Sequence, residues 1–115
     1  MIYAPPPPAS ELAPVHGHYA PAIDPANFVA AVKNPYLPYK PGTHIHFEGV
    51  RGKTPQTDDE LVLGKHKRVL GIRCTIVRDT VSEHGHPVER TFDWYAQDKD
   101  GNVWYMGENL SLIHI

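Results

Sequence analysis

Between Ile72 and Met106 the chain reads IRCTIVRDTVSEHGHPVERTFDWYAQDKDGNVWYM, three stretches of aliphatic, β-branched and aromatic residues separated by two turn signals. This run constrains the fold more than any other, and it predicts an antiparallel meander. A two-residue turn at His84-Gly85 sets Val81 opposite Val88, Asp79 opposite Arg90 and Val77 opposite Phe92. Shifting that turn by one residue would bring Val81 against Glu89 and dissolve the apolar face. In the second turn, Asp98-Lys99-Asp100-Gly101-Asn102, Gly101 suits the positive-φ position of a three-residue loop. That loop opposes Ala96 to Trp104, Tyr95 to Tyr105 and Trp94 to Met106. The expected outcome is one apolar face, made of Val77, Val81, Val88, Phe92, Trp94, Ala96, Trp104 and Met106. The other face then carries Asp79, Glu89, Asp93 and Gln97.

With 115 residues and a formal charge of −2, the chain is at most one domain and has no net basic charge to attract nucleic acid. No apolar run is long enough for a transmembrane segment. The opening MIYAPPPPASELAP has neither the basic nor the apolar region of a signal peptide. Cys74 is the single cysteine, which excludes an intrachain disulfide. Its alternation with Ile72 and Ile76 predicts a buried, inert thiol, since no acid–base partner can be assigned to it.

Ten of the 12 prolines precede Gly42, and Pro5–Pro8 reads as a short, extended polyproline II stretch. Asp24 to Val32 predicts two helical turns, with Asp24 as N-cap, Pro25 at the first position and Asn34-Pro35 as the stop. Residues 34–42 are turn-rich. Thr43 to Val50 alternates as a strand, with Ile45 and Phe47 on one side and His44, His46 and Glu48 on the other. Residues 51–59 read as a polar loop. Glu60 to Leu70 follows as a strand, whose Lys65-His66-Lys67-Arg68 patch reads as a solvated edge rather than an anion site, because lysines discourage edge-to-edge pairing. The chain thus divides into a Pro-rich irregular segment (1–27), a β domain (28–109) and a tail (110–115).

Three blocks carry a resemblance: NPYLPYKPGTHIHFEG, VLGIRCTIVRDTV and TFDWYAQDKDGNVWYMGEN. From about Phe28 to Asn109 the chain resembles a family of bacterial proteins, usually secreted or envelope-associated, with the pattern NPYxPLxPGTxxxYEG, VLGVxCxVVRDTV, TFDWYAQDxxGNVWYFGE. The resemblance implies a β fold that continues beyond Asn109, and a location in the cell envelope or outside the cell. It implies no mechanism. Two departures stand out: the family's leader is not seen here, and its pattern does not call for histidines at 44, 46, 84 and 86. The ending Leu110-Ser111-Leu112-Ile113-His114-Ile115 resembles an in-frame translation of CTG TCT CTT ATA CAC ATC, the transposon end used in sequencing-library adaptors. A non-native tail on a fragment is therefore expected. A core of under roughly 80 residues is marginal without staples, so poor stability or aggregation is expected as well.

Eight histidines include three His-x-His pairs, at 16/18, 44/46 and 84/86. On a strand, i and i+2 share a face, so His44 and His46 could ligate one zinc or copper ion, with Glu48 third and His66 or His86 as a further donor. The competing explanation is an outward polar strand face, favoured by the lack of a sequence-local fourth ligand. Asp98–Asn102 has the look of half a calcium loop but fails the EF-hand spacing, and turn formation accounts for it. The tryptophans and the 95/105 tyrosine pair could line a groove, but their strand spacing favours packing. The fold class expected is mainly β: an antiparallel meander of about five strands, curled as part of a larger half-barrel or sandwich. The function expected is a non-catalytic extracellular or envelope domain with an unidentified protein or small-molecule ligand. The alternatives are a metal-binding module using the His-x-His pairs and a hydrolase whose active-site residues lie beyond this chain.

Overall fold

A computed structural model describes residues 21–113. The polyproline stretch, the His16/His18 pair and the last two residues lie outside the described residues. The architecture is mainly β, with six antiparallel strands in one open sheet rather than a closed barrel. The strands are β1 (Phe28–Val29), β2 (His44–Arg51), β3 (Thr54–Val69), β4 (Ile72–Glu83), β5 (His86–Asp98) and β6 (Val103–Leu112). Four hairpin pairings give the order β2-β3-β4-β5-β6, and β1 pairs with the end of β5.

Three expectations about elements need correction. The two helical turns reduce to one 3-10 turn, Pro25–Asn27, although Asp24 does cap it, accepting from Ala26 N at 3.0 Å. Phe28 and Val29 leave the helix because pairing with Asp98 and Gln97 satisfies their backbone within the sheet. The supposed loop 51–59 is mostly strand. The chain turns at Gly52-Lys53, and β3 runs unbroken from Thr54, with Asp58 opposite Phe47 and Asp59 opposite His46. Polar residues suit this strand because parts of both sheet faces meet water. Finally, there is no single apolar face. Val77 and Asp79 are two residues apart on β4 and so point the same way.

The registers show why. His84 and Gly85 form the expected turn, both with positive φ (52° and 80°), and Glu83 pairs with His86. A β-bulge then falls between the Ser82 and Val81 pairs, so Val81 lies opposite Glu89, Thr80 opposite Arg90 and Arg78 opposite Phe92. Neither the Val81–Val88 pair nor the Asp79–Arg90 ion pair forms; Arg90 Nε instead donates to Thr80 Oγ1 at 3.5 Å. The bulge matches Ile76 to Trp94, so apolar residues of both strands meet on a face that the simple register would have split. In the second hairpin, Gly101 takes φ 90°, and the Ala96–Trp104 and Tyr95–Tyr105 pairs form as expected. A second bulge at Met106 then places Trp94 opposite Gly107 instead of Met106. Trp94 and Trp104 still share a face.

Each face has its own apolar cluster. On one, Val62, Val77 and the tyrosine rings of 39 and 95 pack beneath the segment that carries Val32 and Leu37. On the other, Ile72, Cys74 and Ala96 pack with Phe28, Trp94 and Met106. Phe28 meets the Trp104 ring edge-on at 5.8 Å, and Cys74 is 0% exposed, as its alternation predicts.

Candidate functional site

Strand alternation distributes the charged residues unequally. Asp58 and Glu60 of β3, Asp79 of β4, Asp93 of β5 and Glu108 of β6 occupy the face of Val62 and Val77, which we term the carboxyl face. Register sets Glu60 opposite Asp79, and Asp93 opposite Glu108. Phenols supply donors: Tyr39 donates to Glu60 Oε2 at 3.0 Å, and Tyr105 is shared between Asp93 Oδ1 (2.7 Å) and Glu108 Oε2 (3.0 Å). Asp58 Oδ1 and Asp79 Oδ1 are shut off from water and accept no hydrogen bond.

Burial and then the Asp58 carboxylate beside it push Asp79 up to about 8. Near neutral pH Asp79 therefore holds a proton that it can donate to Asp58, which accounts for both orphaned oxygens. Burial raises Glu60 and Asp93 as well, against the Tyr39 and Tyr105 hydrogen bonds that lower them. The phenols resist ionisation in turn, and Tyr95 is pushed up to about 12, first by burial and then by the charge of Asp93. This array was missed from sequence because residues 51–59 read as loop and Asp79 as an ion-pair partner. Alternation of Asp58, Glu60 and Val62 was the signal that could have found it.

The residues singled out as metal ligands lie on the opposite face, on the edge strand β2. His44 Nε2 donates to Asp59 Oδ1 at 2.9 Å, His46 Nδ1 to the same oxygen at 2.7 Å, and His46 Nε2 faces Glu48 Oε1 at 3.3 Å. The structure thus brings His44, His46 and Glu48 together and adds Asp59, which sequence reading placed in a loop. Both nitrogens of His46 face carboxylates, an arrangement suited to the doubly protonated ring. Hydrogen bonding to Asp59 accordingly raises His46 and lowers Asp59. His66 lies opposite Thr75 and His86 opposite Glu83, so neither shares the His44/His46 pairing register. Among the described residues, no group of three or more His, Cys, Asp or Glu side chains is arranged to hold a metal ion.

A different feature of this second face is a groove of about 490 Å³, with Leu63, Ile76, Phe92 and Trp94 as apolar lining and Lys65 and Lys67 beside them. Its shape comes from β3. Between the Val62–Val77 and His66–Thr75 pairs, three residues of β3 oppose one of β4, so Leu63, Gly64 and Lys65 bulge from the ladder. Gly42 and Thr43 carry the pairing on to Val62, and among the described residues no strand pairs with β3 beyond it on that side. Lys67 Nζ lies over the Trp94 ring, 4.8 Å from its centroid. Trp94 in turn fits against Gly107, where a Cβ would stand 3.1 Å from the indole. The calcium-like loop is a turn: Asp98 Oδ1 accepts from Asp100 N and Asn102 N, and Oδ2 from Trp104 Nε1 at 3.0 Å. Comparison of the chain with protein-family models, curated proteins and solved structures gives no match.

Proposed function

We propose that the chain is a non-catalytic β domain of the cell envelope or extracellular space that binds a ligand on an open sheet face. The observation carrying this reading is the groove of about 490 Å³ in which Leu63, Ile76, Phe92 and Trp94 form apolar walls and Lys65, His66, Lys67, Arg68 and Asn109 supply polar groups. Its size falls in the range of small-molecule sites, which combine apolar walls with a few convergent polar groups. The non-catalytic half of the reading is supported by how the reactive groups are engaged. His44 and His46 both bond Asp59, and Cys74 is enclosed, with its thiol pushed up by burial. The location rests on the resemblance of the three sequence blocks.

An uncharged apolar fluorophore, Nile red, tests the reading. Saturable one-site binding is expected, weakened several-fold in Phe92→Ala at a temperature where both proteins are folded. Binding that does not saturate, or that is indifferent to Phe92, overturns it.

A further inference from the structure

We propose that the groove takes a single-chain amphiphile with an anionic head, of the fatty-carboxylate type. This specifies the ligand of the binding reading above and rests on it. Lys65 and Lys67 stand on the same side of β3 as Leu63, because the bulge keeps residues 63 and 65 in phase with 67 across the irregularity. Their aliphatic stems extend the apolar wall, and their ammonium groups mark its rim. Arg68 also lines the groove and adds a third cation. No carboxylate lines the groove.

The ion pairs among the described residues all belong to His44 and His46, so Lys65 and Lys67 keep their charge available for a ligand. Lys67, an exposed residue, lies with its Nζ over the Trp94 ring, as a cation poised at an apolar surface would. The five carboxyls that would repel an anion, Asp58, Glu60, Asp79, Asp93 and Glu108, are on the far side of the sheet. A ligand complementary to this arrangement has an apolar body and one negative end. Beyond Val62 the edge of β3 is unpaired among the described residues, which gives such a chain a way in from the side.

Titration calorimetry and tryptophan fluorescence, with dodecanoate and dodecanol each below its aggregation concentration, test the proposal. The carboxylate is expected to bind about tenfold tighter than the alcohol, a preference reduced by added salt. Lys65→Gln/Lys67→Gln, which keeps most of the stems and removes the charges, is expected to remove the preference by weakening dodecanoate about tenfold. Equal affinity for acid and alcohol, or a preference that survives the double substitution, overturns the proposal while Nile red binding preserves the broader reading. Loss of Nile red binding in the parent protein would remove both. A hexaglutamate peptide that binds more tightly than dodecanoate would point to an acidic protein partner and also overturn the proposal.

Discussion

The two faces of this sheet are built from alternate residues of the same strands, yet they handle charge in opposite ways. On the carboxyl face, five acidic side chains gather around Val62, Val77 and three tyrosines, and burial disfavours the charged form of Asp79, Glu60 and Asp93. Burial and the neighbouring Asp58 push Asp79 up to about 8, Tyr39 donates to Glu60, and Tyr105 donates to Asp93 and Glu108. On the opposite face, Lys65 and Lys67 border the groove of Phe92 and Trp94, and Lys67 Nζ lies over the Trp94 ring. The difference follows from chemistry. Burial in the sheet penalises the charged form of Asp79, Glu60 and Asp93, whereas a lysine can lay its methylenes on apolar surface and still hydrate its ammonium group.

The largest expected effect tests how tightly the second face is packed. Gly107 has φ 132°, and an added Cβ would stand 3.1 Å from Trp94, so Gly107→Ala should cost about 2–3 kcal/mol and shift Trp94 emission. A smaller loss with unchanged fluorescence would mean that the indole is not seated there. Next comes the carboxyl face. Because the folded value of Asp79 is raised from 3.8, its protonated form favours folding, and stability should fall as pH rises from about 4 through about 8. Asp79→Asn mimics the protonated group. It should raise stability above pH 8 by about 1–2 kcal/mol and flatten that slope, as read from urea melts across the range. An Asn variant that is less stable at pH 9 would contradict the shared-proton arrangement.

Tyr105→Phe removes the donor to Asp93, which is 8% exposed, and should cost about 1 kcal/mol. It should also raise Asp93 further, which a carbon-13 titration of its carboxyl can follow. The smallest effect concerns the β2 edge. Hydrogen bonding to Asp59 raises His46 above 6.5, so that contribution is complete below the ordinary histidine value and is lost as pH rises through the raised one. In an exposed site its effect on the melt should be slight. Zinc calorimetry on the parent and on His44→Ala/His46→Ala should give the same isotherm, since Asp59 occupies these nitrogens. Site-specific zinc binding lost in the variant would reinstate the metal reading.

Turn chemistry was the most legible part of the fold. His84-Gly85 and Gly101 sit where a reading of dipeptides puts them, because a turn of two or three residues is decided by its own φ preferences. The bulges at Val88 and Met106 were not legible. Each local sequence allows a continuous ladder, and only the requirement that Ile76 meet Trp94, and that Trp94 find the space above Gly107, makes an extra residue worthwhile. The candidate site was legible in fragments. The His44/His46/Glu48 cluster was visible from i, i+2 spacing, but its partner Asp59 was hidden in a segment too polar to read as strand. The Lys65–Arg68 patch was visible as charge, while its relation to Trp94 was not.

By itself, then, the order of residues determined a mainly β, antiparallel chain with its hairpin turns, the burial of Cys74 and the shared face of Trp94 and Trp104. Those properties depend on neighbours within a few positions, where φ preference and side-chain period act directly. Only the tertiary structure decided that the sheet has two distinct faces, that Asp58 and Asp79 are enclosed on one of them, and that a bulge in β3 shapes a cation-rimmed groove on the other. Each of these joins residues from two or more strands. A one-residue shift in pairing moves a side chain through the sheet, so the chemistry of each face is settled only when every register is in place.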